Sequence, residues 1–258
     1  MKQPIVVIGL GEIGSVFARG LLKLGHSIIP VTRDISLDIA ATEMSEPLFV
    51  VVAVAENDLH PVLEKIPLQW QDRIVLLQNE LLPRDWEKYS WTKSNPPTVI
   101  SVWFEKKKGQ DSKVLIPSPI YGSHAQVIHD ALATLDIPVD VLKSEEQLAL
   151  ELVIKNVFIL TTNIAGLMLK AGTTVDTLWQ QHQNLATAVA NEVIDIQEYL
   201  TGLNFNRAQL IDGMVKAFNG DLEHKCMGRS APDRLKRALT LAKEANLKPT
   251  QLNKISNR

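Results

Sequence analysis

The sequence predicts an α/β fold: an N-terminal doubly wound parallel sheet over residues 1–143, followed by an all-helical domain over residues 144–258. Three observations carry this reading. The first half alternates short β-branched runs with helical stretches, the pattern of a parallel sheet covered on both faces. From Ser144 onward the apolar period is helical and strand-like alternation is absent. With 258 residues, 45% hydrophobic and a net charge of −2, the chain can fill two modest cores and is not a disordered polymer.

The elements follow in order. Ile5–Ile8 is the first strand, and Ser15–Leu24 is an amphipathic helix stopped by Gly25. Ser27–Thr32 is a second strand whose Pro30 suits a sheet edge or a strand end. Leu48–Ala55 is apolar on both faces and reads as a buried strand; a short helix near Leu59–Lys65 leads to a fourth at Arg73–Gln78. Thr98–Phe104, Lys113–Ile116 and Pro119–Tyr121 come without long helices between them and predict an antiparallel extension of the sheet. Lys106, Lys107, Lys108 and Gly109 form a solvated turn within it. A helix at His124–Leu135 and a strand at Val139–Leu142 close this half. Ser144-Glu-Glu-Gln147 has the spacing of a capping box. Helices are then predicted at Leu148–Leu169, Val175–Leu200, Arg207–Phe218 and Asp233–Ala245.

Composition removes several function classes. Balanced charge, 27 basic against 29 acidic side chains, gives no global attraction to nucleic acid or anionic membrane. The five tryptophans are too scattered for a base-stacking platform. No stretch is expected to reach the ~20 apolar residues of a membrane helix, and the first residues do not read as a signal peptide. The single cysteine, Cys226, and six scattered histidines offer no metal site; His124 and His129 are five apart, the wrong interval for one helical face. Cys226 reads as a packing residue or substrate contact. A reducing, cytoplasmic setting is expected.

Gly9-Leu10-Gly11-Glu12-Ile13-Gly14 follows the first strand and opens the first helix. This G-x-G-x-x-G context is the dinucleotide fingerprint of the Rossmann fold: a tight turn, close backbone approach to pyrophosphate, and close helix–strand packing. Amides at the helix N-terminus face the phosphates. Arg33 lies 19 residues beyond Gly14, where an acid selects NAD and an arginine accommodates the 2′-phosphate of NADP. Its guanidinium favours NADP(H). Asp34 is the neighbouring candidate, since a shift of one residue exchanges the two roles, and a solvated surface charge is the alternative for Arg33.

In the second half, Lys155 is embedded between Val153-Ile154 and Val157-Phe158. A desolvated ammonium is costly without a partner. Asn163 lies two helical turns further on the same broad face, so that an amine and an amide aimed into one cleft would protonate a carbonyl oxygen and orient a substrate. A lysine snorkelling from a half-exposed helix is the competing reading.

Taken together, the turn at Gly9, Gly11 and Gly14, then Arg33, the strand end Gln78-Asn79 and the helix carrying Lys155 resemble the ketopantoate reductase (2-dehydropantoate 2-reductase) family over nearly the whole chain. The resemblance implies a Rossmann domain followed by a helical domain like the C-terminal domain of 6-phosphogluconate dehydrogenase. It implies NADPH-dependent reduction of a small 2-keto acid or related carbonyl compound, with Lys155 as proton donor. Asn163 matches the second of two asparagines that follow this lysine at intervals of four, and Asn79 matches a residue near nicotinamide and substrate. The helical domain would bind substrate and could mediate a homodimer.

The departures are equally specific. Ile159 replaces the first asparagine, Ala55 stands where the family often carries a cofactor-binding lysine, and Glu80 replaces the usual glycine after Asn79. The late segment reads His224-Lys-Cys-Met227-Gly-Arg229-Ser-Ala-Pro-Asp233, with Cys226 in place of a substrate-contacting serine and no counterpart to the active-site glutamate; Asp233 is a weak stand-in. Lost contacts of this kind predict a preferred substrate other than ketopantoate. Two other readings stand beside the reductase: an NADP(H)-binding sensor without turnover, and a 3-hydroxyacid dehydrogenase, against which Ile159 counts.

Overall fold

The computed structural model describes residues 2–257, which divide into two compact units, 2–149 and 150–257. The first is a three-layer α/β unit. Its strands β1 (Lys2–Ile8), β2 (His26–Val31), β3 (Val50–Val52), β4 (Ile74–Leu76) and β5 (Thr98–Ile100) are parallel and carry the buried Val/Ile runs of a sheet covered on both sides. Two further strands in chain order, β6 (Phe104–Glu105) and β7 (Lys113–Val114), stand apart as a two-stranded antiparallel hairpin. Then β8 (Ser118–Tyr121) joins β5 antiparallel, and β9 (Val139–Val141) completes the order β2-β1-β3-β4-β5-β8-β9. The predicted antiparallel extension is therefore partly right: Thr98–Phe104 divides into β5, in the sheet but parallel to β4, and β6, outside it; Lys113–Ile116 gives β7, also outside it; Pro119–Tyr121 gives β8, which joins the sheet antiparallel to β5. Pro30 lies in the edge strand β2, opposite Val7, where its missing amide hydrogen has no outer neighbour to serve.

Helix α1 (Glu12–Lys23) lies on one face beside α5 (Ala125–Ala133). Phe17 and Leu21 pack with Ile128 and Leu132 over Val7, Val51 and Ile100. At Gly20 a Cβ would come within 2.5 Å of the Ala131 carbonyl oxygen, so glycine sets how closely these two helices approach. The expected helix near Leu59 is α3 (Leu59–Leu63). Two short helices escape the periodicity reading, α2 (Leu37–Glu43) and α4 (Pro83–Glu87). Helix α2 buries only Ala40 and Ala41, too little for an apolar stripe. Helix α4 is set by Pro83 at its start and by Asp85, whose Oδ2 accepts from the Leu82 amide at 2.8 Å.

The second unit is helical. Helix α6 (Glu145–Gly166) begins at the predicted cap: Ser144 Oγ accepts from the Gln147 amide, while the Gln147 side chain reaches back one residue further, to the Lys143 amide. Its 22 residues and hydropathy satisfy the length and composition of a membrane span, contrary to the expectation that no stretch would; yet 83% of the most apolar window is buried in the protein, as in a core helix. The long helix predicted over Val175–Leu200 is two, α7 (Val175–Gln181) and α8 (Gln183–Thr201), broken at His182 without a proline or glycine. Helices α9 (Arg207–Gly220), α10 (Ala231–Glu244) and the unpredicted α11 (Thr250–Ser256) complete it. A buried amide pair, Asn156 Nδ2 donating to Gln197 Oε1 at 2.8 Å, joins α6 to α8. Gly213 lets α9 close onto Ile154, where a Cβ would come within 2.8 Å.

Candidate functional site

Strand β1 is the point where the chain's winding reverses, with β2 on one side and β3 on the other. A crevice outside the carboxyl ends of such strands is the usual ligand position in doubly wound sheets. The six residues that begin at Gly9 occupy this point. The Gly9 amide donates to Val31 O of β2 at 3.0 Å, and the Ala53 amide donates to Ile8 O at 2.8 Å, so the turn is pinned to both neighbours.

The three glycines have three different reasons. Gly9 has φ +90°, and a Cβ there would lie 2.7 Å from Ala53 O. At Gly14 a Cβ would run into the Gly9 carbonyl. Gly11 is unlike both: its backbone is extended, with φ −71° and ψ −169°, and a Cβ would meet nothing within 4 Å. Neither the fold nor the backbone conformation requires glycine at that position. An open approach to the first turn of α1, beside exposed Leu10 and Glu12 and half-buried Ile13, is what its missing side chain leaves. This fits a pyrophosphate laid on the helix amides.

Arg33 and Asp34 are the central residues of a turn closed by the Ile35 amide donating to Thr32 O at 3.1 Å. The Arg33 side chain is 91% exposed and meets Asp58 Oδ2 at 3.3 Å. Since Asp58 follows β3 and Arg33 follows β2, the pair bridges the carboxyl end of β1 and sets the guanidinium on the lip of the crevice. Sequence reading did not single out Asp58.

At the end of β4, Gln78 is buried and ties the neighbouring strand: Nε2 donates to Val52 O at 2.6 Å and to Val54 O at 3.3 Å. Asn79 follows it, exposed. Glu80 has φ +58°, a left-handed conformation that glycine adopts without strain.

The lysine turn differs from expectation. Lys106 is only 17% exposed: its Nζ donates to Lys107 O and Gln110 O and lies 3.7 Å from Glu12 Oε2. Lys107 remains 70% exposed.

In the helical unit, Lys155 is half-buried on α6, with Nζ 5.7 Å from the centre of the Phe158 ring, within cation–π range. Phe158 packs against Phe218 and His224, and His224 lies 4.0 Å from the buried carboxylate of Asp221. Neither His224 nor Asp221 carried a sequence signal. Asn163 is buried, and both ends of its amide serve the unit itself: Nδ2 donates to Ile159 O at 2.8 Å and Oδ1 accepts from the Gly228 amide at 3.0 Å. It clamps the loop leading into α10, where Met227 adopts φ +64° and its amide donates to Thr162 O. Both ends of the amide are thus engaged within the protein. Cys226 is buried, and burial pushes its thiol up to about 11, far from a reactive thiolate. Asp233 is exposed in the first turn of α10. Among the described residues no cluster of three or more metal-ligating side chains occurs.

No protein-family model matches the sequence, and no curated protein does. Solved structures do match. A dimeric ketopantoate reductase from Staphylococcus aureus is 16% identical with a TM-score of 0.62, over 98% of this chain and 96% of that one. A 2-dehydropantoate 2-reductase from Methylococcus capsulatus is 12% identical with a TM-score of 0.65, over 98% and 94%. The fold is that of the ketopantoate reductases. D-mandelate dehydrogenase in complex with NADH has the same architecture, at 12% identity and a TM-score of 0.65 over 98% and 96%. Agreement this complete at so little identity makes the chain a divergent example of the fold.

Proposed function

We propose that this chain is an NADP-dependent oxidoreductase that reduces a small 2-keto acid or a related carbonyl compound. The observation that carries the reading is Gly11, a glycine that the fold does not need and a phosphate does. Gly9, Leu10, Gly11, Glu12, Ile13 and Gly14 would form the cradle, with the opening amides of α1 as donors. Arg33 would take the 2′-phosphate, for which its exposed fork is suited. The nicotinamide, when bound, supplies hydride to the carbonyl carbon.

The chain's own part is positioning and proton delivery. Lys155, half-buried over an aromatic ring, would donate a proton to the developing alkoxide. Asn79 would orient the reacting groups. Asn163 would act as a positioning residue, through the loop at Gly228. The helical region from 144 onward would supply the substrate side. The dimeric state named for the Staphylococcus aureus protein supports a homodimer as the assembly, and a cytoplasmic setting fits a lone, inert thiol. A sensor without turnover is the second reading, favoured by Ile159 and by an Asn163 amide already engaged by the protein.

Titration with NADPH and NADH, followed by nucleotide oxidation across a panel of 2-keto acids, separates the two. Oxidation with at least one acid supports the reductase; tight binding with none supports the sensor. Arg33→Ala should weaken NADPH by about tenfold or more and NADH little, because a charged hydrogen bond contributes about 1.5–3 kcal/mol. Equal weakening of both would overturn the NADP assignment.

A further inference from the structure

We infer that Lys106 is a second cation of the dinucleotide site, serving the pyrophosphate rather than the 2′-phosphate; this rests on the dinucleotide reading above. The hairpin β6–β7 is laid along α1. Phe104 packs on Phe17 at 6.2 Å between ring centres, and two residues further Lys106 reaches Glu12, five residues nearer the start of the helix. The hairpin therefore runs toward the N-terminus of α1 and delivers one ammonium to the turn itself. Of three consecutive lysines only this one is folded in; Lys107 and Lys108 face solvent.

Glu12 explains why a cation belongs there. A carboxylate in the first turn complements the helix dipole while the amides are free. With a pyrophosphate on those amides, it becomes a like charge beside about two more. Ala55, at the end of β3, brings no compensating side chain. Lys106 neutralises Glu12 at 3.7 Å while its Nζ also donates to Lys107 O and Gln110 O; on this inference the flexible stem exchanges one of these partners for a phosphate oxygen. Arg33, in the turn after β2, pairs with Asp58, whereas Lys106 pairs with Glu12 in the first turn of α1, so the two cations are assigned to different phosphates.

The test uses four ligands on the full chain, measured by calorimetry at low and moderate salt: NADPH, NADH, ADP-ribose and 2′-AMP. ADP-ribose retains the pyrophosphate without nicotinamide, and 2′-AMP retains the 2′-phosphate without pyrophosphate. Lys106→Met, which keeps most of the apolar stem, should weaken ADP-ribose, NADH and NADPH by a similar factor of about ten and change 2′-AMP less than twofold. Glu12→Gln should tighten ADP-ribose severalfold, and this holds as an independent readout should the lysine variant fold poorly. Unchanged ADP-ribose affinity in both variants would overturn the inference. So would an equal loss for ADP-ribose and 2′-AMP in Lys106→Met, which marks a merely structural latch. Failure of the unaltered protein to bind any of the four overturns the dinucleotide reading itself, and the inference with it.

Discussion

The glycine turn of the α/β unit and the α6 surface around Lys155 were built by different means. In the turn, six consecutive residues contain nearly everything: two glycines answer to the protein's own backbone, and at the third, Gly11, a Cβ would meet nothing within 4 Å. Around Lys155 the neighbours come from far along the chain, with Phe158 on the same helix but Phe218, Asp221 and His224 some sixty residues later. A site encoded locally can be kept whole through divergence by keeping six positions. One assembled from distant segments depends on contacts that can be lost singly.

The largest expected effect falls on the assembled site. Lys155→Ala should cut turnover of whichever 2-keto acid is reduced by about 10²–10⁴-fold, the range of a general acid, with NADPH affinity within twofold of the unaltered protein. Turnover that persists would dissolve the comparison, leaving the glycine turn as the only functional region.

The local site is sharpened by separating its glycines. Gly14→Ala forces a Cβ onto the Gly9 carbonyl and should cost about 1–3 kcal/mol of stability, read as a lowered denaturant midpoint. Gly11→Ala should leave that midpoint within about 0.5 kcal/mol, since nothing lies near its Cβ and its φ is ordinary, yet weaken NADPH by tenfold or more. Equal behaviour of the two variants would mean that Gly11 is structural after all.

How much of this was legible follows from the same contrast. The glycine turn and most strands of the sheet could be read because periodicity and turn chemistry are local. One partner of Asn163 could not be read: its spacing from Lys155 placed it on the same helix, but its amide oxygen engages Gly228, sixty-five residues later. Lys106 was hidden for the same reason, since the lysine run looks like any solvated turn until Phe104 is seen against Phe17. The break at His182 has no proline or glycine to announce it, and α2 buries too little to leave a stripe.

Asn163→Ala tests the loop-holder role within the assembled site. It leaves the Gly228 amide and the Ile159 carbonyl without this partner and should cost about 1–3 kcal/mol of stability. A drop in turnover with an unmoved unfolding midpoint would instead return Asn163 to direct substrate contact and make the two residues of α6 alike.

The smallest effect lies at Glu80, and it asks whether the local site has drifted too. Its φ of +58° is the left-handed conformation that costs a side-chain-bearing residue roughly 1–2 kcal/mol. Glycine relieves this but adds freedom to the unfolded chain, which offsets part of the gain. Glu80→Gly should therefore raise stability by at most about 1 kcal/mol. The informative reading is the Michaelis constant for the keto acid measured beside the unfolding midpoint. A gain in stability with an unchanged constant makes Glu80 neutral drift beside Asn79. A gain accompanied by a weaker constant makes it a determinant of substrate choice, carried by a side chain on a locally encoded turn, whereas any contribution of the helical unit depends on residues far apart in the chain.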